Sequence, residues 1–340
     1  MGDDVMIDLL KQLCSLDGVS GWEDEVRDHI RKTAGPFADE IREDTMGNLL
    51  VFRKGAKNEK TVMIAAHMDE VGLMVRGATD DGYLKFGTAG GIDRRLLFGK
   101  TVRCGQKKLP GVIGIKAVHL SKPQERDSVP QITDMYIDIG ASSKDDALKK
   151  VPLGEVCAFA TEPVEFGKGF LKAKAIDDRV GCAVLLRLLE ERPVYDTWFA
   201  FTVQEEAGLR GAYTAAYALK PDMALVVEGT TAADRPGLKG AERVCAPGEG
   251  VVLSYMDGTT VYDRDLFEKM RSLADKHQIP WQLKRAVAGG TDAGAIQRSR
   301  CGVPVAGLAA AMRYIHAPVS AVSLEDCENL YRLAKAFLEG

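Results

Sequence analysis

The spacing of apolar positions changes character twice along the chain. Over the first 66 residues it mixes helical and strand periods. Residues 5–13 carry apolar side chains at helical intervals. Ser20 followed by Glu23 fits a capping box that opens a helix over 23–33, with Val26 and Ile30 turned inward. Residues 49–52 and 61–66 read as strands. The second, TVMIAA, is a continuous apolar run of the kind found where a strand is buried on both faces.

From about residue 71 to 160 the runs shorten and turn signals multiply: Asp81-Gly82, Gly90-Gly91, Leu109-Pro110-Gly111 and Lys122-Pro123. Strands are expected at 72–76, 83–86, 101–104, 112–116, 135–139 and 156–160, with a short helix at 144–149, which suggests a small β-barrel or sandwich. Helices and strands alternate again after about residue 161. The helices fall at 179–191, 212–219, 263–276, 293–298 and 324–337, and the strands at 197–203, 223–227, 251–254, 282–284 and 303–308. Such alternation predicts a mostly parallel sheet covered by helices on both faces. The expected organisation is therefore one discontinuous α/β domain, residues 1–68 and 162–340, interrupted by a β-rich insert at 69–161.

Composition narrows the class. A length of 340 residues favours two domains, and 46% hydrophobic with 28% charged residues is an ordinary globular balance. The net charge of −4 gives no reason to expect nucleic acid or an anionic membrane as partner. The longest apolar stretch, 301–312, contains Gly and Pro and falls short of the roughly 18 residues a spanning helix needs. Acidic residues near the start stand where a secretory signal would be basic, and the seven cysteines are scattered with no CxxC. A cytoplasmic protein with reduced thiols is expected.

Ligands of open α/β sheets bind beyond the carboxyl ends of the strands. The polar residues that follow the expected strands are His67-Met68-Asp69-Glu70, Gln204-Glu205-Glu206, Glu228, and a loop holding His316, while Asp177-Asp178 stand before a helix. Taken singly, each is as well read as a surface histidine, a solvated acidic pair or a helix cap. Their collection at one edge is what points to chemistry. Two histidines with several carboxylates suit zinc, cobalt or manganese better than calcium. One carboxylate can bridge two ions, and a carboxylate that is not a ligand can take a proton from the attacking water, which describes a two-metal hydrolase.

The same segments resemble the tetrahedral aminopeptidases, dinuclear metallopeptidases some of which have been labelled endoglucanases. AHMDEVG (66–72), AIDDRVG (175–181), QEEAGLRGA (204–212), GGTDAGA (289–295) and RYIHAP (313–318) carry the likeness. GVSGWE (18–23), DTMGNL (44–49) and GGIDRRLLFGKTV (90–102) extend it over nearly the whole chain. The resemblance implies a zinc-peptidase-like α/β domain whose insert is a β-barrel-like dimerisation domain. It also implies dimers joining into a hollow tetrahedral dodecamer, peptide substrates, and two divalent ions per subunit, zinc or cobalt. His67 and Glu228 would hold one ion, Glu206 and His316 the other, and Asp177 would bridge them. Glu205 would be the general base and Asp69 would orient the His67 imidazole. Glu228 stands where Asp is usual in that family, and Asp234 competes with it. Asp178 reads as a cap or supporting group. Thr291 and Asp292 are left without a role, and His29, His119 and His277 are read as structural. The competing functions are another metal-dependent amide hydrolase (a deacylase or dipeptidase), a glycoside hydrolase using a carboxylate pair such as Glu205 with Asp177, and a non-catalytic shell protein.

Overall fold

The computed structural model describes residues 2–123, 128–238 and 242–340. The chain opens with α1 (Gly2–Ser15) and α2 (Asp24–Ala34), then enters strands β1 (Glu40–Glu43), β2 (Leu49–Arg53) and β3 (Lys57–His67). It leaves this layer to form β4 (Gly72–Ala78), β5 (Leu84–Ala89), β6 (Thr101–Cys104), β7 (Leu109–Gly114), β8 (Tyr136–Asp138), α3 (Lys144–Lys150) and β9 (Val156–Phe159). It returns through β10 (Val164–Phe166), β11 (Phe170–Ala173), α4 (Ile176–Leu188), β12 (Tyr195–Thr202), α5 (Arg210–Leu219) and β13 (Met223–Thr231). Then come β14 (Val251–Leu253), α6 (Arg264–Lys276), β15 (Trp281–Leu283), α7 (Asp292–Gln297), β16 (Val305–Arg313), β17 (Ser320–Ser323) and α8 (Leu324–Glu339).

Among the described residues the sheet has eleven strands, ordered β1-β2-β12-β3-β13-β16-β17-β11-β10, with β14 and β15 branching from β16. Its centre, β12-β3-β13-β16, is parallel throughout, as the alternating pattern predicts. The strands added on either side are antiparallel. The six strands β4 to β9 close into a separate barrel, ordered β4-β5-β8-β7-β6-β9, with its own core of Leu73, Val75, Ile113, Ile137 and Phe159.

Side-chain alternation along the central strands decides what reaches the site. On β3, Val62, Ile64 and Ala66 pack toward α1, α4 and α8, while Met63 and Ala65 pack toward α5 and α7. Continuing the count puts His67 on the second face. On β13, Val226 lies on that same face and Glu228 follows it two residues later. The parallel register pairs Ala65 with Val226, so His67 and Glu228 come level at the carboxyl edge.

One local expectation is corrected. Ser20 and Glu23 do not form a capping box: α2 begins at Asp24, with Glu23 as an N-cap whose side chain makes no capping bond. Both side chains are engaged elsewhere, in the cluster described next.

Candidate active site

His67 ends β3 with its imidazole buried. Its Nδ1 lies 3.1 Å from the Asp69 backbone oxygen. A carbonyl only accepts, so Nδ1 carries the hydrogen and Nε2 faces the cluster. There Nε2 stands 3.4 Å from Asp177 Oδ1 and 3.7 Å from Glu228 Oε2. The His316 Nε2 stands 3.6 Å from Asp177 Oδ2 and 3.4 Å from Glu206 Oε2. Asp177 therefore presents one oxygen to each histidine. Two sets of donors, His67 with Asp178 and Glu228, and Asp177 with Glu206 and His316, each lie within 4.8 Å of one another.

Backbone geometry brings these groups together from distant parts of the sequence. Ala175, Gln204 and His316 all adopt left-handed conformations, at φ of 54°, 55° and 56°, which non-glycine residues rarely hold. Each lies at or within two residues of a site carboxylate or histidine. Asp177 and Asp178 belong to the first turn of α4 but have non-helical dihedrals. The kink lets Asp178 accept from the Gly181 amide at 2.9 Å, as a cap does, and from the His67 amide at 3.2 Å, while Asp177 turns into the cluster.

Asp69 is the hub of the supporting bonds. Its Oδ1 accepts from the Glu205 amide at 2.9 Å and its Oδ2 from the Glu206 amide at 3.1 Å and from the Ser20 hydroxyl. One buried carboxylate thus ties the end of β3 to the loop after β12. Glu23 Oε1 accepts from the Gln204 amide at 3.2 Å and from Gly21 at 2.7 Å, steadying the residue before Glu205. Asp292 Oδ2 accepts from Thr202 Oγ1 at 2.5 Å.

Glu228 and Asp234 differ in their partners. Both Asp234 oxygens are taken by Arg313, at 2.9 and 3.0 Å from Nε and 2.5 Å from Nη2. Glu228 is buried, with Oε1 lacking any hydrogen-bond partner. It lies three residues inside β13 rather than at its end, because the strand continues to Thr231.

The electrostatics describe carboxylates gathered without enough positive charge. Burial, reinforced by Asp292, Glu206 and Asp177, pushes the Glu205 carboxyl up to about 9 against the pull of His67. Burial also raises Glu206 to about 7 and Glu228 well above its ordinary value. Contact with Asp177 lifts His316 to about 9. Burial would raise Asp177, but the neighbouring His316 and His67 imidazoles hold it well below the usual carboxylate range. Asp177 Oδ1, like Glu228 Oε1, is buried without a hydrogen-bond partner. Buried unpaired oxygens beside imidazole nitrogens fit divalent cations, which satisfy lone pairs and offset charge together.

Comparison with known proteins now bears on the site. Residues 47–333 match the family described as M42 glutamyl aminopeptidase. The lysyl aminopeptidase of Pyrococcus furiosus is 32% identical over 346 residues, covering 98% of this chain and 96% of its own. An aminopeptidase structure from the archaeon Desulfurococcus kamchatkensis superposes with a TM-score of 0.95 at 37% identity, covering 100% of this chain and 96% of that one. A Pyrococcus horikoshii TET peptidase, described as assembling into a tetrahedron or a large octahedral shell, gives 0.87 at 34% identity, covering 98% and 99%.

The chain belongs to the M42 peptidase family. It is a metal-dependent aminopeptidase. In this M42 peptidase the five donors named from sequence, His67, Asp177, Glu206, Glu228 and His316, converge, with Glu205 and Asp69 beside them. Sequence reasoning gave no place at the site to Ser20, Glu23 or Asp292. The available signals were GVSGWE and GGTDAGA, whose polar residues also read as ordinary caps and turns. Thr291 does cap α7, accepting from the Ala293 amide, while its neighbour Asp292 points into the cluster's field.

Proposed function

We propose that this peptidase uses two divalent cations, zinc or cobalt, with His67 and Glu228 holding one, Glu206 and His316 the other, and Asp177 shared. The observation that carries the reading is the position of Asp177, with one oxygen toward each histidine and one of them unpartnered. When bound, such ions supply Lewis acidity, polarising the scissile carbonyl and acidifying the attacking water. Glu205 is the general base: a carboxylate oxygen takes the proton from that water and returns it to the leaving amine nitrogen. Asp69 is a positioning residue. It fixes the amides of Glu205 and Glu206 and lies against the His67 ring, so base and ligands share one reference point. Glycoside hydrolysis by a carboxylate pair would leave His67 and His316 without a task.

The reading extends to organisation. The barrel, within 69–161, is the dimerisation domain, and dimers join into a tetrahedral dodecamer. Support comes from the likeness to the Pyrococcus horikoshii peptidase and from Phe98, Val118 and Leu120, which the barrel side leaves more than half exposed. The discontinuous remainder, 1–68 and 162–340, is the catalytic domain. The compartment is the cytoplasm, a setting in keeping with seven unpaired cysteines.

The test is hydrolysis of an unblocked peptide followed by product analysis. Amino-terminal residues should appear one at a time, activity should vanish on chelation, and zinc or cobalt should restore it at two ions per chain. Cleavage that survives chelation, or internal cleavage only, would overturn the proposal.

A further inference from the structure

A cavity of about 770 Å³ lies against the site and takes no part in the scheme above. Three of its lining residues, Ser20, Gln204 and Gly90, adjoin the reacting centre. Ser20 donates to Asp69, Gln204 precedes Glu205, and a Cβ built on Gly90 would stand 3.4 Å from Glu206 Oε2. Among the described residues no carboxylate lines it, but two arginines do, Arg76 and Arg210.

Both arginines are placed in ways the fold does not itself require. Arg76 sits at a bulge, where the register of β4 on β5 slips between Val75 and Gly77. Bulges re-aim side chains. Its stem crosses β5 over Gly87, where a Cβ would come within 3.0 Å of Arg76 Cδ. Arg210 is the first residue of α5, a position where the helix dipole disfavours a cation, and no acidic residue offsets it in that turn. Neither side chain has a hydrogen-bond or ion-pair partner among the described residues, whereas those of Arg27, Arg31, Arg103 and Arg313 are each paired with carboxylates. Two unpaired cations in one concavity beside the scissile position are set for an anionic part of the substrate.

We propose that this cavity seats the peptide on the carboxyl side of the scissile bond, and that Arg76 and Arg210 select substrates presenting a carboxylate there. The inference rests on the aminopeptidase reading. A substrate cleaved after its first residue extends in one direction only. The pockets lined by Glu228 and by Asp177, Glu206 and His316 have only about 20 and 10 Å³ to offer, so the larger cavity next to them is the one that admits a chain. The carboxylate is the free carboxyl terminus of a short peptide or an acidic side chain in a longer one.

The experiment compares kcat/KM on the metal-loaded protein for a short peptide and its carboxyl-terminal amide, and for a longer amidated peptide carrying Asp or Lys at its third position. The carboxylate form should be favoured about tenfold at low salt, mainly through KM, with the preference shrinking as salt rises. In R76A and R210A the ratio should fall toward one. R76K should keep part of it, since lysine retains the charge without the bidentate fork. Discrimination between free acid and amide assigns the terminal carboxylate, and discrimination between Asp and Lys assigns the side chain. Equal kcat/KM for all four peptides, or a ratio unchanged in correctly folded arginine variants, overturns the inference. If the wild type cleaves nothing yet binds the carboxylate peptide by calorimetry, and R76A and R210A do not, the peptidase reading fails while this site stands.

Discussion

Replacing Asp69 with asparagine removes one negative charge and turns one acceptor into a donor at the point where β3 meets the Glu205-Glu206 loop. In the native arrangement Oδ1 accepts from the Glu205 amide and Oδ2 from the Glu206 amide and Ser20. An asparagine has one oxygen, so in either orientation one of the two backbone amides loses its acceptor and faces an NH₂ group. Losing a charge-assisted bond costs about 1.5–3 kcal/mol, and an orphaned buried N–H adds about 1–3 kcal/mol. The expected loss is about 3–5 kcal/mol for Asp69→Asn. Ser20→Ala deletes one donor and leaves both backbone contacts intact, so its loss should be about 1–2 kcal/mol. Urea unfolding of the metal-free protein measures both. Turnover of an aminoacyl chromogenic substrate should fall through kcat more than KM, because the loop that moves carries the base. If Asp69→Asn unfolds within about 1 kcal/mol of wild type, or no more easily than Ser20→Ala, Asp69 is not the hub described above.

Three other outcomes are expected. Glu205→Gln should keep its metal content but lose roughly 10²–10⁴-fold in kcat; near-wild-type turnover in the purified variant would remove Glu205 as base. Glu228→Ala should empty the ion site it shares with His67 while Asp234→Ala, which frees Arg313, leaves metal content intact; the reverse result in metal analysis would move the ligand to Asp234. In the metal-free protein Glu206 (about 7), Glu205 and His316 (both about 9) hold protons more tightly than in the unfolded chain. Their stabilisation is complete in acid and lost as pH rises through those values. The metal-free Tm should therefore fall between about pH 5 and 9 and the gain on adding zinc should widen; a gain that narrows with pH would contradict the sign.

The parts of this fold that were legible in sequence are those where burial is two-sided. TVMIAA and its partners could only be central strands, and the central parallel strands fix the edge at which His67, Glu206, Glu228 and His316 collect. Several of the antiparallel strands added beyond the parallel centre were not legible. β1 is EIRE, β10 is VEF and exposed along its length, and β17 is SAVS. Such segments are strands because a neighbour offers a ladder, not because their own pattern demands it. Ser20 and Glu23 were misread for a related reason. A hydroxyl and a carboxylate three residues apart satisfy a helix start locally, and only the distant Asp69 and Gln204 make a better partner for each. The bond from the Gly181 amide to Asp178 is local and within reach of sequence, whereas the use of Asp292 depended on Thr202, ninety positions away.

The barrel inserted after β3 also sets a clock on synthesis. His67 is made early, but His316 follows only after about 250 further residues, which at roughly 5–20 residues per second occupy about 12–50 s of translation. Throughout that interval no stretch of nascent chain contains both histidines, so the paired centre proposed above lacks one of its two histidines until residue 316 has been added. On that assignment the order of the sequence leaves the centre unfinished until the last helix of the chain, α8, is about to be made.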